Sequence, residues 1–193
     1  MAPPVGAAVP PAQVVADIRV WLERVVVGLN LCPFARPLLG SDRLRIAVHD
    51  QSSLAALRTA FLQELELLQG SSEQDIATTL LVLPGALEDF YDYLNFVDAA
   101  QGLLIEAGLE GVVQLASFHP HYQFAGEDSD AASHYTNRSP YPVIHLLREE
   151  MLTRVLSDGS DPNGIPARNV AALEAIGVAE LERRWEHMFK HQN

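Results

Sequence analysis

The sequence contains one cysteine, Cys32, and one lysine, Lys190, among 193 residues. A lone thiol excludes an intrachain disulfide and gives no sign of an oxidising compartment. Positive charge is scarce as well: 13 basic residues face 25 acidic ones, for a net charge of −12. That balance opposes nucleic-acid binding, where a basic surface must neutralise phosphates, and it opposes docking on an anionic membrane. No apolar run is long enough to span a bilayer. The opening stretch MAPPVGAAVPPAQ has no basic residue before Arg19, which makes a poor signal peptide. These absences point to a cytoplasmic protein without a nucleic-acid or membrane partner. The chain also lacks G-x-G-x-x-G, a P-loop, G-x-S-x-G and C-x-x-C, so dinucleotide, ATP and hydrolase readings have no motif behind them.

What is present is an ordinary globular composition, 48% hydrophobic, on a chain long enough for one sizeable core. A Pro/Ala-rich tail over residues 1–11 has little to bury, which leaves one domain over 12–193. Val14, Ile18, Trp21, Val25 and Leu29 recur at helical spacing, and Gly28 and Asn30 read as stop signals. Apolar runs at 44–49, 78–83 and 112–118 predict strands, separated by helical patterns at 52–70 and 86–111. This alternation predicts an α/β fold: a small, mostly parallel sheet of three to four strands with crossover helices, an N-terminal helix and a helical C-terminal end. After a polar loop from 125 to 138, the stretch SPYPVIHLLREEMLTRVLS predicts one more helix, followed by a DPNG turn and helices over 166–176 and 178–190.

Chemistry-bearing side chains gather at the predicted carboxyl edge of the sheet, where open parallel sheets bind ligands. His119 and His121 flank Pro120 just after the third strand, and such a pair can begin a metal site. His145 and Glu149 stand four apart on the helix predicted from Ser139, so with His119 they would form a two-His, one-carboxylate set. The competing account of His145 and Glu149 is a solvated helix face. Ser139 reads as that helix's N-cap, with Pro140 at its first position. Free N–H groups there, beside the forked guanidinium of Arg138 and the amide of Asn137, suit a small anion. The alternative for Arg138 is an ion pair with Glu127, Asp128 or Asp130 in the preceding loop. Cys32, ahead of Pro33, would gain a lowered thiol pKa if it capped a helical turn. Otherwise it is a small buried apolar residue.

Three long stretches, WLERVVVGLNLCPFA, LASFHPHYQFAG and TNRSPYPVIHLLRE, together with TTLLVLP, resemble a bacterial family described as domain of unknown function 1415. The resemblance covers nearly everything after the tail. It implies that the polar motif positions are Asn30 and Cys32 in the first stretch, and His119, Tyr122 and Gln123 in the second. The third stretch supplies Asn137, Arg138, Ser139, Tyr141, His145, Arg148 and Glu149. His121 departs from the family pattern, which more often has Gln there, so the resemblance shifts weight from the His pair to His119.

These residues define an expected site. A small anionic substrate would be held by Asn137, Arg138, Ser139, Tyr122, Gln123 and Arg148. His119 or His145 would act as general acid/base, with Cys32 as nucleophile or polar wall, and with no cofactor. Cys32, His119 and Arg138 are expected to line one pocket. A non-catalytic module that binds a metabolite or partner uses the same residues. A metalloenzyme would use His119, His145 and Glu149, and no resident metal is expected.

Overall fold

Four short apolar runs alternate their side chains between two helical layers and so build one sheet. The structure, a computed structural model, describes residues 9–157 and 164–188. Residues 1–8 of the expected tail, residues 161–163 of the expected DPNG turn and the last two residues of the helix expected over 178–190 lie outside the described residues. The order of elements is α1 (Pro11–Trp21), a π-helix (Leu22–Val27), α2 (Ala35–Leu38), β1 (Leu44–Val48), α3 (Leu54–Gly70), β2 (Thr78–Val82) and α4 (Phe90–Glu106). There follow β3 (Val113–Phe118), a 3₁₀ turn (Ala132–Thr136), β4 (Val143–Arg148), α5 (Glu149–Ser157), α6 (Gly164–Ile176) and α7 (Val178–Met188). Among the described residues, no helix is long and apolar enough to cross a membrane.

The α/β expectation holds, but the sheet is mixed rather than mostly parallel. Its order is β1-β2-β4-β3, and β1–β2 is its one parallel pair. β4 runs antiparallel between β2 and β3, so β1, β2 and β3 still point the same way. The inserted strand comes from the stretch whose pattern predicts a helix. Val143, Ile144, Leu146 and Leu147 are all buried, because a central strand covered on both faces needs apolar side chains at successive positions. Such a run lacks the two-residue alternation that marks a half-exposed strand, and periodicity alone does not separate it from a buried helix. Helix α5 therefore begins only at Glu149, which removes the helix N-terminus expected at Ser139 and the helix face expected to carry His145 and Glu149.

One sheet face packs Leu80, Val82, Val143 and Leu147 against Val14, Ile18 and Trp21 of α1. The other packs Leu81, Ile144 and Leu146 against Phe61 and Leu65 of α3 and Tyr93 and Phe96 of α4. Capping follows the sequence: the Ser53 hydroxyl accepts from the Ala56 N–H, and Asp89 accepts from the N–H groups of Tyr91 and Asp92. A third, smaller core joins Leu31, Ala132 and Tyr135 to Leu173 of α6 and Leu181 of α7. Val9 also packs against the first cluster, and α1 starts at Pro11, so the chain is engaged before the expected boundary at residue 12.

The first helix does not simply stop at Gly28. Its last turns widen, with N–H bonds reaching five residues back from Gly28 to Glu23 (2.9 Å) and from Leu31 to Val26 (2.8 Å). A Cβ on residue 28 would lie 2.3 Å from the Arg24 carbonyl oxygen. Glycine is therefore what lets this turn close, and the widened turn carries Arg24.

Candidate functional site: the Arg138–Tyr135 region

His119 sits just past β3 and is fully buried. Its Nδ1 accepts the backbone N–H of His121 at 3.0 Å, so its proton resides on Nε2, which donates to the Leu87 carbonyl at 2.9 Å. The ring lies against Phe90 and Tyr93, with centroids 5.3 and 4.9 Å away. Burial pushes its pKa below the ordinary value, and the Leu87 carbonyl opposes that shift. A neutral imidazole with both nitrogens bonded is a brace between two loops, with no free nitrogen for acid/base work. The same pattern recurs at His134, whose Nδ1 accepts from the Phe124 N–H while Nε2 bonds the Asp128 carbonyl.

His145 lies in β4 on the sheet face that α1 covers, beside Phe118 at 6.3 Å between rings. Thr78 gives its hydroxyl proton to the Leu146 carbonyl, so the 2.7 Å contact from His145 Nε2 to that hydroxyl is a donated bond and Nδ1 is unprotonated. Burial lowers its pKa to about 4. His119, packed on α4, stands on the other side of the sheet, and the two imidazoles do not converge. Glu149 is farther still. Register pairs Arg148 with Val113 and Val143 with Phe118, so Glu149 and His119 lie at opposite ends of β3. The two-His, one-carboxylate set is not assembled. Among the described residues, no group of three or more His, Cys, Asp or Glu side chains is placed to hold a metal ion.

Most of the remaining expected site residues are tied into the fold. Asn137 donates from Nδ2 to the Ser117 carbonyl, accepts the Thr136 hydroxyl, and its own carbonyl accepts the His119 N–H. Ser139 is buried and donates its hydroxyl to the Tyr141 carbonyl, a turn contact and not a helix cap. The Tyr141 hydroxyl donates to Asp17 at 2.6 Å, which together with burial raises the phenol's pKa. Arg148 braces three carbonyls, Leu68 (2.6 Å), Ser71 (2.8 Å) and Ile76 (3.0 Å), at the end of α3 and the entry to β2. Tyr122 packs its ring between Phe90 and Phe124, and Gln123 is exposed. Cys32 is no helix cap, since α2 starts at Ala35 with Phe34 as its cap. Burial raises its thiol pKa, against smaller lowering effects from the Phe34 and Ala35 N–H groups and Arg168, so the expected activation by a helix dipole is reversed.

Arg138 is the exception. Its backbone is fixed: the flanking residues bond His119, and its carbonyl accepts the Trp21 indole N–H at 3.0 Å. Its guanidinium lies over the Tyr135 ring, 4.3 Å from the centroid. Nε is buried without a hydrogen-bond partner. Among the described residues no carboxylate pairs with it, so the ion pair with Glu127, Asp128 or Asp130 is not formed. Cys32 packs against the first core, His119 against α4 and Arg138 over Tyr135, and among the described residues no hydrogen bond or ring contact joins their side chains.

Tyr135, absent from the expected site, connects Arg138 to a cavity of about 290 Å³ between the π-helix and α7. Burial raises the Tyr135 phenol's pKa, Arg138 opposes that shift, and Glu182 adds to it. Arg24 and Val25 line the cavity on one side, and Arg183, Arg184 and Trp185 on the other. The sequence carries a signal for this region in Gly28, read as a stop but required by the widened turn.

No curated protein and no solved structure matches this chain. The family model described as "Protein of unknown function (DUF1415)" matches residues 13–183, nearly the whole of the described molecule, and the chain belongs to that family.

Proposed function

We propose that the protein recognises a small anionic molecule through Arg138, acting as a binding module before any catalytic role. One observation carries this reading: among the described residues, a half-buried guanidinium has no carboxylate partner, in a chain rich in acidic residues. A buried or half-buried cation is ordinarily paired, because leaving it bare costs solvation that nothing returns. Its contact with Tyr135 restricts the fork, and a restricted fork suits a carboxylate or phosphate. The anchored backbone on either side of Arg138 supports the same reading, since a positioned donor loses little entropy on binding. Binding takes precedence over acid/base catalysis because His119 has no free nitrogen, and His145 is bonded to Thr78 within the sheet and makes no hydrogen bond with Arg138.

The test is a thermal-shift titration with inorganic phosphate and with sulfate, against chloride at matched ionic strength. The wild type should gain melting temperature saturably with either oxyanion but not with chloride. Arg138→Ala should lose that gain, and Arg138→Lys should keep a fraction of it. An unchanged response in Arg138→Ala would rule the reading out.

A further inference from the structure

We infer that the anion recognised here carries an apolar body, which enters the cavity between the π-helix and α7 while its charge meets the arginines at the rim. This rests on the anion reading above and names the class of ligand.

The cavity is too large for a bare oxyanion and lies at the small end of the range for organic ligands, at about 290 Å³. Its lining divides by chemistry. Val25, Leu29, Leu181 and Met188 offer aliphatic surface. Tyr135 and Trp185 add two rings set edge to face, 5.9 Å apart, which together make an aromatic corner that an apolar group can fill. Arg24, Arg183, Arg184 and His187 supply the polar part. Arg183 and Arg184 share a single carboxylate, Glu180, so the pair keeps a net positive charge. Among the described residues, Arg24 has no carboxylate partner and makes a long 3.4 Å contact to the Met188 carbonyl. Arg138 does not itself line the cavity but lies over the Tyr135 ring that does, 4.3 Å from its centroid. The lining itself, among the described residues, holds three arginines and no carboxylate, and Glu180 and Glu182 beside it leave the arginines in excess, which over an apolar floor matches an amphipathic anion. A purely apolar guest would leave the arginines unused, and a bare phosphate would leave the floor wet.

Isothermal titration of the full chain with phenylacetate, phenylacetamide and inorganic phosphate separates the possibilities. Phenylacetate should bind about tenfold more tightly than either its uncharged amide or phosphate, the ratio expected from one charge-assisted contact. Arg24→Ala, a change at an exposed side chain, should erase the preference for phenylacetate over the amide while leaving amide binding intact. Equal binding of phosphate and phenylacetate, both lost in Arg138→Ala and unaffected by Arg24→Ala, would overturn the ligand class and leave the anion site at Arg138 standing. Binding of the amide as tightly as the acid would overturn the class from the other side. Absence of binding by all three, with no Arg138-dependent thermal shift, would overturn both readings.

Discussion

Replacing His119 by alanine should cost the fold heavily and leave anion binding alone. The change deletes a fully buried ring held between Phe90 and Tyr93. It also removes two hydrogen bonds, to the Leu87 carbonyl at 2.9 Å and from the His121 N–H at 3.0 Å. Each bond contributes about 0.5–1.5 kcal/mol, and loss of a packed ring adds about 2 kcal/mol, less than for a phenyl group because the imidazole is smaller. Leu87 holds a left-handed backbone, φ 58°, and relaxes once the carbonyl is released, which returns about 1 kcal/mol. The net loss is about 3 kcal/mol. With a urea slope of about 2 kcal/mol per molar for a chain of this size, the midpoint should fall by about 1.5 M without a change in slope. The variant's melting temperature should still rise with phosphate. Stability within about 0.5 kcal/mol of the wild type, accompanied by loss of the phosphate response, would refute the assignment of His119 as a brace and return it to the ligand site.

Three more outcomes follow from the same contacts. Burial lowers the pKa of both His119 and His145, the latter to about 4, so the unfolded chain takes up protons first. Stability is therefore complete above the ordinary histidine value of about 6.5 and declines as pH falls toward 4; His145, which keeps some contact with solvent, contributes at most about 3 kcal/mol. Urea midpoints at pH 7.5, 6 and 5 should show the decline, in a window above the titration of the paired carboxylates Glu64 and Glu73, whose pKa values lie below the usual carboxylate range; a flat profile would contradict it. Gly28→Ala should destabilise by about 1–3 kcal/mol, because the new methyl meets the Arg24 carbonyl at 2.3 Å and forces the π-helix to rewind; an unaffected urea midpoint would show that the widened turn is dispensable. Cys32 should react with Ellman's reagent far more slowly in the native protein at pH 7.5 than in urea, since burial raises its pKa; a fast native reaction would restore it as a nucleophile.

The long helices are legible from their apolar spacing, and β2, although buried on both faces, from a β-branched run that Pro84 closes. Ser53 and Asp89 mark their helix starts as capping chemistry requires. β4 is not legible, because Val143-Ile144-His145-Leu146-Leu147 is apolar on both sides, and only the presence of β2 and β3 as neighbours makes it a strand. The misreading spread into the site. A helix at Ser139 would have supplied an anion-binding N-terminus and a His145–Glu149 face, and the strand supplies neither. Arg138 is legible from its fork and neighbours alone. Its partner Tyr135 is not, since it lies in a stretch that reads as a polar loop, and α7 reaches it only through tertiary packing. His119 is legible as special but not in kind: the sequence marks a histidine at a strand end, while its role rests on two loop groups, Leu87 and His121, that no local pattern reveals.

The claim on which the rest depends is that Arg138 holds an anion. A crystal soaked in selenate tests it directly, because selenium's anomalous signal locates the oxyanion without regard to the surrounding model of solvent. The account predicts a strong peak within hydrogen-bonding reach of the Arg138 guanidinium, on the side of the group not stacked on Tyr135. Selenate bound only at other arginines, with Arg138 bare or paired to a carboxylate of its own chain, would contradict it.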